Sequence, residues 1–159
     1  MAFMCLLASC SKDNVETTTT QEADYSIDLS LAQETNWEMA DEILDLINQH
    51  RVSIGLLELK KGTQFASAHA VKHTHHMIEI DQINHDNFAY RKNALINNGA
   101  ESVAENVAYG YTNAETLVNA WLNSQGHRST IEGPFTHTGF GVLESADGKM
   151  YFTQLFYRK

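Results

Sequence analysis

The chain has 159 residues, 20 of them acidic against 11 basic, and a formal net charge of −9. That length fits one domain, and a domain near this size removes roughly 70% of its unfolded surface from water. The acidic balance argues against non-specific nucleic-acid binding, which relies on Lys and Arg neutralising phosphates, and against electrostatic docking on anionic lipid.

The first segment, Met1-Ala2-Phe3-Met4-Cys5-Leu6-Leu7, is apolar, and Leu7-Ala8-Ser9-Cys10 follows it. The pattern resembles a bacterial lipobox, in which Cys10 would carry the lipid, although the basic residues of a secretory n-region are absent. The alternative is a frayed apolar end. After residue 10 no run approaches the ~20 apolar residues of a membrane-spanning helix. Both cysteines lie within the first ten residues, so the rest of the chain holds no disulfide. Residues 11–35 read as a flexible tether, with Thr17–Thr20, several acids and few large apolar side chains. As a coil it would span about 30 Å. The alternation of Tyr25, Ile27, Leu29 and Leu31 suits a strand-like arm instead.

From Asn36 the pattern becomes that of a folded domain, residues 36–159. Asn36 suits an N-cap, and Trp37, Ala40, Ile43, Leu44 and Ile47 share one face of a helix running to about Arg51. Gly55 breaks the chain. A second helix is expected over about 63–80, with Phe65, Ala66, Ala70, Met77 and Ile80 inward. It carries His69, His73, His75 and His76. His69 and His73 are one turn apart and suit a metal pinch, but no Glu completes a zincin-type motif, so they read as a solvated flank. Residues 81–99 form a polar connection with a short helix from Phe88 to Asn97, stopped by Asn98-Gly99. A third helix runs from Asn113, its cap, to Ser124, with Leu117, Val118, Trp121 and Leu122 buried and Gly126 as its stop. The last third reads as a β-hairpin, 136–144 and 150–157, turning at Asp147-Gly148. Gly139 and Gly141 in its first strand predict close packing over that face.

Three segments carry chemistry: His85-Asp86-Asn87-Phe88, Ala104-Glu105-Asn106-Val107-Ala108 and Gly126-His127-Arg128, the last running on into Phe135-Thr136-His137-Thr138-Gly139-Phe140-Gly141. Each also has a local explanation. Asp86 suits a cap for the Phe88 helix, Glu105-Asn106 suit the backbone of their own loop, and His127-Arg128 suit a turn anchor. Ser124 and Ser129 beside His127 form no recognisable triad.

In this order and spacing the segments resemble the CAP superfamily (cysteine-rich secretory protein, antigen 5 and pathogenesis-related proteins) in its bacterial form, over about residues 38–158. The resemblance implies an α+β fold, a three-layer α/β/α sandwich with a small, mainly antiparallel sheet. It implies a cleft formed by His85, Glu105 and His127, with Ser124 where the family places a second acid. Imidazole and carboxylate suit Zn²⁺, so the cleft is expected to bind a metal or small molecule without catalysis. The alternatives are a metal-dependent hydrolase and an interaction module with a vestigial cleft. The aromatics of the second half are expected mostly in the core, some beside the cleft. The implied setting is the bacterial envelope or exterior, with membrane contact only through lipid at Cys10 and no nucleic-acid partner.

Overall fold

The structure, a computed structural model, describes residues 24–159. The proposed lipid site Cys10 lies outside them. The elements are a 3₁₀ helix Leu29–Glu34, α1 Trp37–Ser53, β1 Lys60–Lys61, α2 Gln64–Glu79, α3 Phe88–Asn97, β2 Ser102–Tyr109, α4 Ala114–Asn123, α5 Gln125–Ile131, β3 His137–Glu144 and β4 Met150–Arg158. The four strands form one sheet in the order β1-β3-β4-β2. Only the two-residue β1 is parallel to its neighbour; β3–β4 and β4–β2 are antiparallel.

The sheet alternates its side chains between two helical layers, as period-two strands must. Phe140, Val142, Phe152, Phe156 and Ala108 meet Ile43, Ile47, Leu117, Val118 and Trp121 from α1 and α4. Leu155, Tyr157, Tyr151 and Val107 face the other way, toward Ala66, Ala70 and Met77 of α2 and Leu95 of α3. This is the expected α/β/α sandwich. The larger cluster lies on the α1/α4 side, where each fully buried Phe contributes roughly 1.5–3 kcal/mol.

Local signals act as expected at several ends. Asn36 accepts from Met39 N and Asn113 from Thr116 N, each satisfying a free amide of the first turn. Gly148 turns the β3–β4 hairpin at φ +82°. Gly139 and Gly141 lie directly beneath α2: a Cβ on Gly141 would stand 2.5 Å from the Ala70 carbonyl carbon.

Four sequence expectations change. Glu105-Asn106, for which a loop was the local alternative, lie on the edge strand β2. Gly126 does not stop a helix: Ser124 ends α4 and begins α5, and Gly126 lies within α5. Asp86 does not cap α3, whose N-cap is Asn87 in a left-handed conformation. The Asp86 carboxylate meets His76 instead, Nε2 to Oδ2 3.2 Å. Finally, the last part of the expected tether is ordered. The 3₁₀ helix docks beside α2, Ala32 is buried, and the Thr35 hydroxyl donates to Phe140 O at 2.9 Å. Residues 25–31 form no strand.

Candidate functional site

The site straddles the outer edge of the sheet. Because β2 is an edge strand with alternating side chains, Glu105 projects toward the α2/α3 layer and its neighbour Asn106 toward α5. His85 stands in the loop between α2 and α3, with 54% of its side chain exposed. His127 stands on α5, partly buried.

Glu105 is the anchor of this arrangement, with only 1% of its side chain exposed. Arg91, on α3, holds it with a two-pronged ion pair: Nε donates to Oε2 at 2.7 Å and Nη2 to Oε1 at 2.8 Å. Such planar, bidentate pairing is the strongest form of this contact. Arg91 Nη1 also donates to Asp86 O at 2.6 Å, which fixes the His85 loop. His85 Nδ1–H then donates to Glu105 Oε1 at 2.8 Å. With Nδ1 committed, the imidazole is oriented and its Nε2 has no partner among the described residues. His73 closes the inner side: its Nε2–H donates to Asn84 O at 2.9 Å and lies 4.0 Å from Glu105 Oε1.

His127 is placed from the other layer. Asn106 Nδ2 donates to its carbonyl at 3.2 Å, tying α5 to β2. Its Nδ1 shares a 2.9 Å hydrogen bond with Ser124 Oγ, and its ring lies 6.2 Å from that of Trp121. Burial holds its pKa below the ordinary imidazole value, and the charge of His85 pushes the same way. Beside His127 opens a cavity of about 250 Å³, lined by Ile83, Val107, Tyr109, Tyr111, Trp121 and Ser124. Tyr109 and Tyr111 thus line this cavity, while Phe140, Phe152, Phe156 and Tyr157 are buried in the core.

The donor set does not fit a resident Zn²⁺. Both Glu105 oxygens already accept from Arg91, and one also from His85. Among the described residues no three His, Cys, Asp or Glu side chains are grouped to hold an ion. Ser124, in the place of the family's second acid, engages His127 instead of adding a ligand. The helix-two histidines also differ from expectation. His69 and His73 are buried rather than solvated, whereas His75 is exposed.

Sequence reasoning missed Arg91, and it placed His73 on a solvated flank rather than beside Glu105. Arg91 did leave a trace: it falls on the inward stripe of α3 with Phe88, Ala94 and Leu95, where a charge implies a buried counter-charge.

The fold is a sandwich whose edge strand carries a carboxylate pinned by Arg91 and His85. The sequence pattern described as the cysteine-rich secretory protein (CAP) family matches residues 44–156. The chain belongs to that family. It is 33% identical over 123 residues to the uncharacterized membrane protein YlbC of Bacillus subtilis, a match covering 74% of this chain and 34% of YlbC. It is 43% identical over 60 residues to the uncharacterized protein YkwD of the same organism, covering 37% of this chain and 22% of YkwD. The chain thus spans about a third or less of these relatives. Among solved structures, an outer surface protein of Borrelia burgdorferi superposes with a TM-score of 0.67 at 22% identity, over 77% of this chain and 93% of that one. An extracellular protein containing an SCP domain from Bacillus anthracis gives a TM-score of 0.64 at 28% identity, over 81% and 43%. No described helix is long and apolar enough to cross a membrane.

Proposed function

We propose that this chain is a non-enzymatic binding domain that works outside the cytoplasm, carried on lipid at Cys10, and that it takes a small organic ligand between His85 and His127. The observation that carries the reading is the commitment of Glu105. Its carboxylate is spent on orienting His85 and neutralising Arg91, which favours an organic ligand over a metal. His85 Nε2 is left free to hydrogen-bond a ligand, since Nδ1 is committed to Glu105. The neighbouring cavity, with Trp121, Val107 and two tyrosines, offers an apolar wall. A few fixed polar groups beside an apolar surface are the ordinary build of a small-ligand site. The surroundings of His127 favour its neutral form, so the ligand is expected to be uncharged at that end. The similar proteins of Borrelia and Bacillus anthracis are described as outer surface and extracellular, which supports the setting.

The test is an NMR titration of the full chain with a library of small neutral alcohols and amides, following the imidazole signals of His85 and His127. Binding should move both sets together and be lost in His85→Ala. A library that moves neither histidine would defeat the proposal. Calorimetric binding of Zn²⁺ that disappears in His127→Ala would replace it with a metal site. Mass spectrometry of the protein from its native membrane tests the anchor: lipid on Cys10 is expected, and an unmodified Cys10 in a soluble fraction rejects it.

A further inference from the structure

A second cavity, of about 360 Å³, opens between α2 and α3 and shares Arg91 and His73 with the surroundings of Glu105. Small-ligand pockets run from roughly 300 Å³ upward. Its wall includes His69, which is 1% exposed and whose Nε2 has no hydrogen-bond partner among the described residues. A buried polar atom without a partner is costly, and few native groups are left so. The His69 ring is held edge-on between Phe65, at 4.6 Å, and Tyr90, at 5.9 Å, so it has a fixed direction. Burial, with the charges of Lys72 and Arg91 adding to it, pushes its pKa down to about 4, so at neutral pH it is an uncharged donor or acceptor.

The charges around this cavity are unequal. Lys72 is exposed at its rim and forms no ion pair among the described residues. Arg91 uses one N–H on each of its three nitrogens, on Glu105 and Asp86 O; a guanidinium has five, so two remain. The rim's one carboxylate, Asp86, is engaged by His76 Nε2. An exposed cation and a guanidinium with two uncommitted N–H groups therefore border a pocket whose wall includes the His69 and Tyr90 rings.

We infer that the cavity between α2 and α3 binds a small organic carboxylate, its anionic end between Lys72 and Arg91 and a flat apolar body against His69 and Tyr90. The inference is independent of the ligand proposed for the His85/His127 cleft. Because Arg91 also holds Glu105, an occupant here sits one side chain from the group that orients His85.

Sodium benzoate serves as the probe and benzylamine hydrochloride, of the same shape and opposite charge, as its control, both added to the full chain at constant ionic strength. Nitrogen-15 NMR follows the His69 ring nitrogens and Arg91 Nε. Benzoate should move both signals saturably while His127 stays still, and benzylamine should move neither. Lys72→Met should weaken benzoate binding at least fivefold, and His69→Phe, which keeps a ring between Phe65 and Tyr90, at least threefold. Should His69→Phe fail to fold, Lys72→Met decides alone, because Lys72 is exposed. The inference is overturned if benzoate gives no saturable shift, if benzylamine binds equally well, if the shifts are confined to His127, or if Lys72→Met binds benzoate as tightly as the native chain.

Discussion

Glu105 and Arg91 are each almost fully buried, with 1% and 5% of their side chains exposed. Removing one member of such a pair strands the other's charge, which costs about 3–5 kcal/mol. Replacing both with apolar groups of similar volume costs far less. Glu105→Gln is therefore expected to lower unfolding free energy in urea by about 3 kcal/mol, and Glu105→Leu with Arg91→Met by clearly less than either single change. Equal losses in Glu105→Gln and in the double variant would mean that packing, not charge, holds this corner. His69 makes a second, pH-dependent contribution. Its folded pKa, about 4, lies below the ordinary 6.5, so between those values the unfolded chain binds more protons. The stability from keeping His69 neutral is whole above about pH 6.5 and is lost as pH falls toward 4. A shift of this size corresponds to about 3 kcal/mol. Urea titrations at pH 7 and pH 4 should show the native chain losing more than His69→Phe by that order, and equal losses would mean the imidazole is not desolvated. At this scale the sequence was partly readable. Order and spacing singled out His85, Glu105 and His127, but Arg91 and Glu105 are 14 residues apart on different elements, and only the fold joins them.

Among the elements, α2 lies directly against the backbone of β3. A methyl group on Gly141 would meet Ala70 and Val71 backbone at 2.5–2.6 Å, and one on Gly139 would meet Ala66 and Ser67 at 2.7–2.8 Å. Backbone cannot swing aside as a side chain can, and overpacking costs about 1–3 kcal/mol, occasionally more. Gly141→Ala is expected to lower the thermal midpoint, and Gly126→Ala to raise it slightly. Gly126 lies in α5 with open space where its Cβ would go and has no positive φ, so the gain is about 0.4–1 kcal/mol from the restricted unfolded chain. Differential scanning calorimetry of both variants checks the pair; a stabilised Gly141→Ala would show that α2 can lift from the sheet. The same glycines were legible in the sequence because two of them in one strand predict a close neighbour. β2 and α5 were not legible. Val103 to Ala108 places Glu105 and Asn106 at consecutive buried positions, so no polar–apolar alternation marks the strand. α5 is a seven-residue helix with Gly126 near its start, too short for a helical period to show.

For the molecule as a whole, the question is where the folded domain begins. The family pattern starts at residue 44 and the first cap is Asn36, yet the preceding 3₁₀ helix is fastened to the sandwich on two sides. Thr35 Oγ1 donates to Phe140 O within the core, and Trp37 Nε1 donates to Ala32 O at 3.0 Å. Glu34 also meets His75 of α2 at 2.7 Å, but both are half exposed, so that pair adds little. Two hydrogen bonds at about 1 kcal/mol each, with the burial of Ala32, set the scale of the loss when this segment is cut away. A truncated chain starting at Asn36 should still fold, since the core on both faces of the sheet remains. It should melt about 5–10 °C below a chain starting at Asp24. Neither truncated chain contains cysteine, so dithiothreitol should move neither midpoint. Equal midpoints would place the start of the domain at Asn36 and return residues 24–35 to the tether. A difference in the expected range would place it no later than Leu29, and would mean that any anchor at Cys10 is joined to the sandwich by a shorter free segment than the composition of residues 11–35 suggests.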